Sequence, residues 1–251
     1  MKHAARERID VLMVERGLAP TRARAQAQLM AGVVRVEGER IDKPGTPVAK
    51  DARIEVVAST NPFVSRGGLK LAGALDTFAP LGLDVASAVA VDIGASTGGF
   101  TDCLLQRGAA RVYAVDVGYG QLDDKLRRDP RVVALERTNA RHLEASHFAE
   151  PVDLVVVDAS FIGLAQLAPA IARIVRPDGS VVALVKPQFE AGREAASRGR
   201  GVIRDEGVRE AAIAGARQAL TTEGLTFVAE IDSGVPGPKG NVERFVWARR
   251  A

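Results

Sequence analysis

The chain has 251 residues, of which 47% are hydrophobic, so it can bury the core of a globular protein. Its single cysteine, Cys103, excludes an internal disulfide, and with three scattered histidines it forms no recognisable metal-binding or catalytic cluster, so we expect no metal site. No apolar run approaches the roughly 18 to 20 residues that span a bilayer, and the N-terminus lacks the apolar stretch of a signal peptide. We therefore expect a cytoplasmic protein that does not bind a membrane.

The positive charge of the chain is concentrated near its N-terminus. Residues 1–60 contain 11 basic and 8 acidic side chains, whereas residues 61–251 contain 23 of each. Such an excess favours contact with a polyanion, because neutralising phosphates releases counterions and drives association. An ordinary solvated surface is the alternative that charge alone leaves open.

The N-terminal sixty residues predict two helices followed by a small sheet. A first helix is expected over 6–16, and a second from Thr21, a good N-cap, to about Met30. Strands with alternating apolar residues follow near 34–36 and 53–57. The segment therefore has the pattern of a small α+β domain.

This pattern resembles the S4 RNA-binding domain over about fifty positions. The resemblance rests on the identity and spacing of Arg8, Ile9, Asp10, Gly17, Leu18, Thr21, Arg22, Ala23, Gly32, Val34, Val36 and Gly38. It implies that the second helix faces the phosphates or a folded surface of an RNA. The arginines expected to contact RNA are Arg8, Arg22, Arg24 and, beyond this domain, Arg66.

Residues 61–66 have the turn-forming composition of a connection between domains. We therefore predict an S4-like domain over 1–60, a linker over 61–66 and a larger domain over 67–251.

Apolar segments alternate with helical segments throughout the larger domain. Strands are expected at 88–93, 112–117, 132–135, 152–157 and 180–185, and helices at 68–78, 98–107, 163–175 and 205–223. The strands contain few polar residues, as expected when helices cover both faces of a parallel sheet. Two last strands near 225–231 and 242–248 predict a hairpin at an antiparallel edge. The fold class is thus α/β, with a mostly parallel, Rossmann-like sheet.

A glycine-rich loop follows the first of these strands in the sequence DIGASTGGF, residues 92–100. It is neither the GxGxxG loop of dinucleotide-binding proteins nor a Walker loop, so a phosphate-binding role is disfavoured. Asp116 ends the next strand, where a carboxylate can accept hydrogen bonds from ribose hydroxyls. These features predict an adenosine site without pyrophosphate, and a purely structural turn is the alternative.

This region resembles the class I S-adenosylmethionine-dependent methyltransferases, and the loop is similar to that of the FtsJ-like branch, which modifies RNA ribose. The resemblance implies S-adenosylmethionine as cofactor and places Asn139 beside its adenine, although Asn139 also suits an ordinary turn. The expected cofactor-binding residues are Asp92, Gly94, Ala95, Ser96, Gly98, Gly99, Phe100, Asp116, Asn139 and Asp158.

Methylation of a ribose hydroxyl requires a base, because the hydroxyl is a poor nucleophile near neutral pH. Asp158 and Lys186 each end an apolar strand, where an unpaired buried charge is unfavourable, so we expect both to face one crevice. With Lys70 and Glu243 they match the order of the Lys-Asp-Lys-Glu tetrad of FtsJ-like 2′-O-methyltransferases. That resemblance implies that Lys186 accepts the hydroxyl proton and that Asp158 positions Lys186 and contacts the cofactor. Lys70 and Glu243 would orient the ribose and Lys186.

Four segments resemble a narrower family, the TlyA proteins, and the similarity covers essentially the whole chain. They are residues 94–100, 116–121, 136–140 and 186–190. Ser96, Thr97 and Phe100 depart from the commoner FtsJ-like loop. The resemblance implies methylation of a cytidine 2′-hydroxyl in rRNA, within a ribosomal subunit or an assembling particle, and the sequence points to no protein partner.

Members of this family that modify both subunit RNAs carry a C-terminal extension, whereas this chain stops at Ala251, four residues beyond Trp247. We therefore expect 23S rRNA as the target, with dual 16S and 23S methylation as an alternative. A non-catalytic ribosome assembly factor is a second alternative. A membrane-lytic role, suggested by the haemolysin label of the family, finds no apolar segment to support it.

Two further sequence features bear on RNA binding. Residues 193–204 contain four arginines and predict a surface loop beside Lys186 that contacts RNA. Tyr119 and Phe189 flank the expected crevice, where they could stack on a base or pack into the core.

Overall fold

The computed structural model describes residues 6–57, 61–191, 202–237 and 240–251. Most of the predicted arginine-rich loop, residues 193–201, lies outside the described residues, as do residues 238 and 239 of the turn before Glu243. Within the described residues, no helix is both long and apolar enough to span a bilayer.

The N-terminal domain combines two helices with two small sheets. Its elements are β1 (Arg6–Arg8), α1 (Ile9–Glu15), α2 (Arg22–Ala31), β2 (Val34–Val36), β3 (Glu39–Arg40), β4 (Pro47–Ala49) and β5 (Ile54–Val56). Strands β1 and β4 pair antiparallel, and β2 lies between β3 and β5. Helix α2 begins where Thr21 Oγ1 accepts a hydrogen bond from Arg24 N and ends at Gly32, which has a φ of 73°. The predicted two-helix α+β domain is confirmed.

The second domain is a seven-stranded sheet with helices on both faces. Its elements are α3 (Arg66–Phe78), β6 (Val89–Ile93), α4 (Gly99–Gln106), β7 (Arg111–Val115), α5 (Asp124–Arg127), β8 (Val132–Leu135), β9 (Val152–Val157), α6 (Leu164–Ile174), β10 (Val175–Val185), α7 (Pro187–Glu190), α8 (Glu206–Thr222), β11 (Leu225–Asp232) and β12 (Arg244–Arg250). The strand order is β11-β12-β10-β9-β6-β7-β8, and β12 runs antiparallel to both neighbours. The expected α/β class and the late hairpin are both confirmed.

The order of the strands determines where a ligand can bind. The chain runs outward from β6 through β7 to β8 and then returns to place β9 on the other side of β6. Connections therefore leave β6 and β9 in opposite directions and open a crevice at their carboxyl ends. Asp92, near the end of β6, and Asp158, directly after β9, lie at this crevice.

The strands are apolar on both sides because each face of the sheet has its own core. Leu154 packs with residues of α3 and α4 on one face, whereas its neighbour Val155 packs with residues of α6 and α8 on the other. Both side chains are buried. This two-sided burial explains why the sequence shows continuous apolar runs instead of alternation.

The segment predicted as a linker lies along helix α4. Val64 N donates a hydrogen bond to Asp102 Oδ2 at 2.9 Å, and Gln106 Nε2 donates one to Pro62 O at 3.0 Å. Ser65 then precedes the first residue of α3. The connection between the domains is therefore attached to the helix that begins at the glycine-rich loop.

Candidate active site

Two adjoining cavities open at the carboxyl edge of the sheet, with volumes of about 330 and 380 Å³. We call the one beside α3 the first cavity and the one beside β7 the second cavity. The residues that line both are Met30, Gly94, Ser96 and Asp158. Met30 belongs to α2, so the N-terminal domain contributes to the wall of the site.

The glycine-rich loop lies between the two cavities and contains backbone conformations that favour glycine. Gly94 has a φ of 85°, and a Cβ there would lie 3.0 Å from the backbone of Asp158. Ser96 also has a positive φ, 48°, and its N–H donates to Asp116 Oδ2 at 2.8 Å. The loop that follows β6 is therefore hydrogen-bonded to Asp116, after β7, and packs against Asp158, after β9, at the mouth of the site.

Of the residues expected to bind the cofactor, most line one of the two cavities. The first cavity is lined by Asp92, Gly94, Ala95, Ser96, Gly99, Phe100 and Asp158, and the second by Gly94, Ser96, Asp116, Asn139 and Asp158. Gly98 lines neither. Its φ of 92° starts helix α4, and a Cβ there would overlap the side chains of Leu122 and Leu126. The conformation and close packing at Gly98 explain why glycine occupies this position.

Asp92 is wholly buried at the wall of the first cavity. Its Oδ2 accepts hydrogen bonds from Thr101 N at 2.9 Å and Thr101 Oγ1 at 2.6 Å, whereas no described residue donates to its Oδ1. Burial raises the pKa of Asp92 to about 7, and the nearby carboxylates of Asp158 and Asp116 act in the same direction. A buried carboxylate with an unused oxygen fits a cationic ligand group.

The second cavity fits a nucleoside. Asp116 Oδ1 accepts from Gly118 N at 2.7 Å, so backbone donors hold the carboxylate at the end of β7. Asn139 lines the cavity and also begins the 3₁₀ helix Ala140–His142, its Oδ1 accepting from Arg141 N at 3.1 Å. Apolar side chains, among them Ile162, complete the wall. A ribose could bond to the carboxylate while a base lies against the apolar wall.

The four tetrad residues form two ion pairs. Lys186 Nζ lies 2.6 Å from Asp158 Oδ1, and Lys70 Nζ lies 2.5 Å from Glu243 Oε2. Lys70 and Asp158 line the first cavity, and each is paired with a residue that is almost completely buried. Pairing offsets the unfavourable burial of these charges, so the site can hold four ionisable groups together.

Lys186 is surrounded by acceptors from the residues that follow β9. Besides its contact with the Asp158 carboxylate, its ammonium group donates to Asp158 O at 3.1 Å and to Ser160 Oγ at 2.9 Å. The nitrogen is therefore oriented from three directions at the edge of the crevice.

Sequence reasoning missed two polar residues that contact the tetrad. One is Ser160, which accepts from Lys186 and lies two positions after Asp158. The other is Gln188, whose Nε2 lies 3.5 Å from Glu243 Oε1. Gln188 Oε1 is buried and accepts no hydrogen bond from the described residues. Ser160 and Gln188 each lie two positions after a tetrad residue, Asp158 or Lys186, and this spacing is the signal that could have found them.

Three of the four arginines expected to contact RNA form ion pairs with acidic residues, and the fourth, Arg66, lines the first cavity. Arg8 and Arg22 both bind the buried Asp10, at 2.9 and 2.8 Å. Burial alone would raise the pKa of Asp10, but hydrogen bonds from Arg8, Gln26 and Arg22 hold it far below its ordinary value. The side chains of Arg8 and Arg22 remain about half exposed.

The other two arginines lie close to the second domain. Arg24 Nη1 lies 2.5 Å from Asp123 Oδ2, which joins α2 to the residue preceding α5. Arg66, the first residue of α3, lines the first cavity. Arg66 therefore lies at the crevice itself, whereas Arg24 lies at the contact between the two domains.

Comparisons with known proteins agree with this architecture. Residues 7–54 match the S4 domain family, and residues 63–250 match the FtsJ-like methyltransferase family. A relative from Mycobacterium tuberculosis, named 16S/23S rRNA (cytidine-2'-O)-methyltransferase TlyA, is 47% identical over 98% of this chain and 91% of its own. One from Campylobacter jejuni, named 23S rRNA (cytidine-2'-O)-methyltransferase TlyA, is 32% identical over 74% of this chain and 70% of its own.

A solved structure is similar over both domains. It is a candidate hemolysin from Streptococcus thermophilus, which is 41% identical, covers 99% of this chain and 90% of its own, and has a TM-score of 0.75. The expectations of a class I fold and of a methyltransferase are confirmed by the FtsJ-like match and the sheet topology. The chain therefore belongs to the TlyA family, in which an S4 domain precedes an FtsJ-like methyltransferase domain.

Proposed function

We propose that this protein transfers the methyl group of S-adenosylmethionine to the 2′-hydroxyl of a cytidine in 23S rRNA. The observation that carries the proposal is the Lys186–Asp158 ion pair at a cavity that the glycine-rich loop also lines. The names of both TlyA relatives include 23S rRNA and cytidine-2'-O methylation, which supports the choice of substrate. A ribosomal substrate implies that the protein works in the cytoplasm.

The two cavities have the chemistry that S-adenosylmethionine requires. Asp116 would accept hydrogen bonds from its ribose, Asn139 would lie beside its adenine, and Asp92 Oδ1 would accept from its ammonium group. When bound, the cofactor supplies an electrophilic methyl group on a positively charged sulfur. Glycine at position 94 lets the loop lie against the backbone of Asp158, so that the loop and Asp158 line the same cavities.

Lys186 would accept the proton of the ribose hydroxyl as the methyl group is transferred. A neutral Lys186 amine keeps two N–H groups, which two of its three acceptors can share, and its lone pair can then turn toward the hydroxyl proton. The Asp158 carboxylate, 2.6 Å away, then stabilises the ammonium group that forms. In this proposal Asp158 and Ser160 position the base.

Lys70 and Glu243 would hold the ribose in line with the methyl group. Lys70 lines the first cavity and is fixed by the buried Glu243. Gln188 lies beside Glu243, and its buried Oε1, which accepts no hydrogen bond from the described residues, could accept one from a substrate hydroxyl. Precise alignment of this kind accounts for a large part of the rate of a group transfer.

The N-terminal domain would bind the RNA. The match to the S4 family supports this role, as do the exposed parts of Arg8 and Arg22. Methylation of 16S rRNA as well remains an alternative, because the name of the Mycobacterium tuberculosis relative includes both RNAs. The two buried ion pairs favour an enzyme over a non-catalytic assembly factor, because a binding protein has no need of this constellation.

Methyl transfer from labelled S-adenosylmethionine to isolated large subunits, isolated small subunits and naked 23S rRNA tests the proposal. We expect label in the large-subunit RNA, on a ribose of cytidine, and at least about 100-fold slower labelling with Lys186→Ala. Label on a base would contradict the ribose assignment, and label in 16S rRNA would establish the dual alternative. RNA binding without transfer to any substrate would favour an assembly factor.

A further inference from the structure

A third cavity lies between the two domains, beside the second cavity, with which it shares Gln121. Its volume is about 350 Å³, and we call it the interdomain groove. Thr21 and Arg24 line it from the N-terminal domain, and Tyr119, Gln121 and Arg127 line it from the methyltransferase domain. A ligand in this groove would contact both domains at once.

Tyr119 is an unusual feature of the groove because it is a large aromatic side chain that is 66% exposed. The Arg137 guanidinium lies over its ring, 4.3 Å from the centroid, in a cation–π contact. A ring has two faces, and the exposure of Tyr119 leaves area for a second flat group to stack. The alternative that Tyr119 packs into the core is therefore wrong.

The backbone on either side of Tyr119 is held firmly. Gly118 N donates to Asp116 Oδ1 at 2.7 Å, and Gly120 N donates to Glu136 Oε1 at 2.8 Å. Arg137 N donates to Gly118 O at 3.0 Å. The ring is thus presented by a preorganised loop, which lowers the entropy lost when a ligand stacks on it.

The groove also contains two arginines that can contact a phosphate, beside the acidic Asp124. Arg24 and Arg127 are anchored by Asp123 and Glu136, at 2.5 and 2.6 Å, and each guanidinium has five N–H groups to share. The side chains of both arginines remain about one-third exposed. An aromatic platform bordered by guanidinium groups is the chemistry that binds a nucleotide of single-stranded RNA.

We propose that the interdomain groove binds one nucleotide of the substrate RNA away from the methylated cytidine, with its base stacked on Tyr119 and its phosphate beside Arg24 and Arg127. This inference rests on the proposed function, because it assumes an RNA substrate. The contact joins both domains to one RNA strand, so it fixes the orientation of the N-terminal domain relative to the active site.

The test uses the full chain and three variants, of which two are matched controls. Tyr119→Ala removes the ring, whereas Tyr119→Phe keeps it. Phe227→Ala removes a similar ring on β11, at the opposite edge of the sheet, where Arg217 lies 5.1 Å from the ring centroid. Binding to naked 23S rRNA and to large subunits is measured, together with the affinity for S-adenosylhomocysteine and the unfolding temperature.

We expect Tyr119→Ala to weaken RNA binding by about 5- to 100-fold, the range given by loss of one stacked base. Tyr119→Phe and Phe227→Ala should stay within about twofold of the parent chain, because a phenyl ring also stacks and β11 lies far from the groove. The affinity for S-adenosylhomocysteine and the unfolding temperature of Tyr119→Ala should not change.

Unchanged RNA binding by Tyr119→Ala would overturn the inference, as would a loss explained by a lower unfolding temperature. Weaker binding to intact subunits but not to naked RNA would assign the groove to a ribosomal protein and also overturn it. Methyl transfer by the parent chain is measured in parallel. If transfer is present while Tyr119→Ala binds normally, only this inference fails, whereas absence of both transfer and RNA binding contradicts the proposed function itself.

Discussion

Lys186 Nζ lies 2.6 Å from Asp158 Oδ1, and the two residues follow neighbouring parallel strands, β10 and β9. The lysine side chain is 9% exposed and the aspartate 24%. A lysine that is buried and held by acceptors from one adjacent segment has little freedom to leave the crevice. The pair is therefore the centre from which the chemistry of this site can be tested.

Lys186→Ala should reduce the rate of methyl transfer by about 100- to 10,000-fold, the usual contribution of a general base. Binding of S-adenosylhomocysteine should persist, because the proposed adenosine contacts are made by other residues. Single-turnover transfer with large subunits measures the rate, and calorimetry measures binding. A rate above about one-tenth of the parent value would exclude Lys186 as the base.

Ser160→Ala should lower the maximal rate by about tenfold without a comparable change in KM, because one hydrogen bond to the charged Lys186 is lost. Ser160→Thr keeps the hydroxyl and should recover most of the rate. A change in KM alone would argue that Ser160 contacts the substrate and does not position Lys186. Steady-state kinetics on large subunits distinguish these outcomes.

Cofactor affinity should increase as the pH is raised from about 6 to about 8, because Asp92 has a pKa raised to about 7 and binds a cation best when ionised. Titration calorimetry with S-adenosylhomocysteine at several pH values measures this. In Asp92→Asn, the affinity should be lower and the dependence on pH should flatten. An unchanged slope would show that another group is responsible.

The raised pKa of Asp92 should make the fold less stable as the pH increases, which is opposite to its expected effect on cofactor affinity. Between the ordinary value of 3.8 and about 7, the unfolded chain loses the Asp92 proton while the folded chain keeps it. The contribution of Asp92 to the free energy of unfolding therefore falls as the pH rises through this window. In Asp92→Asn, the free energy of unfolding should therefore depend less on pH than in the parent chain. Urea unfolding of both proteins at each pH measures this.

Lys70→Ala should lower the free energy of unfolding by about 3 to 5 kcal/mol, because it leaves the wholly buried Glu243 without its ionic partner. The double variant Lys70→Met with Glu243→Leu should be more stable than Lys70→Ala, since it buries no unpaired charge. Both should be inactive. Equal stability of the single and double variants would mean that the pair does not offset the burial of Glu243.

Gly98→Ala should destabilise the fold by more than about 2 kcal/mol, because a Cβ would overlap Leu122 and Leu126 at a positive φ. Gly120→Ala is the matched control, since Gly120 also has a positive φ, 68°, but no atom lies within 4 Å of its added Cβ. It should lose only about 1 kcal/mol from its backbone conformation. Equal losses would show that packing at Gly98 is unimportant.

Much of the fold could be predicted because it is encoded locally. The cap at Thr21, the terminating Gly32 and the apolar strand β9 each depend on neighbours within a few residues. The glycine-rich loop was visible for the same reason. The role of Gly98 was not, because the leucines that exclude a side chain there follow more than twenty positions later.

The sequence by itself determined most of the longer helices and strands, the glycine-rich loop and the identity of the ionisable residues, since local periodicity and residue type are sufficient for these. Only the tertiary structure decided which groups meet. Lys70 and Glu243 are 173 positions apart, and Arg24 and Asp123 are 99 apart. Their pairing depends on the strand order around β6 and on the docking of α2, which are consequences of how buried surfaces pack across the whole chain.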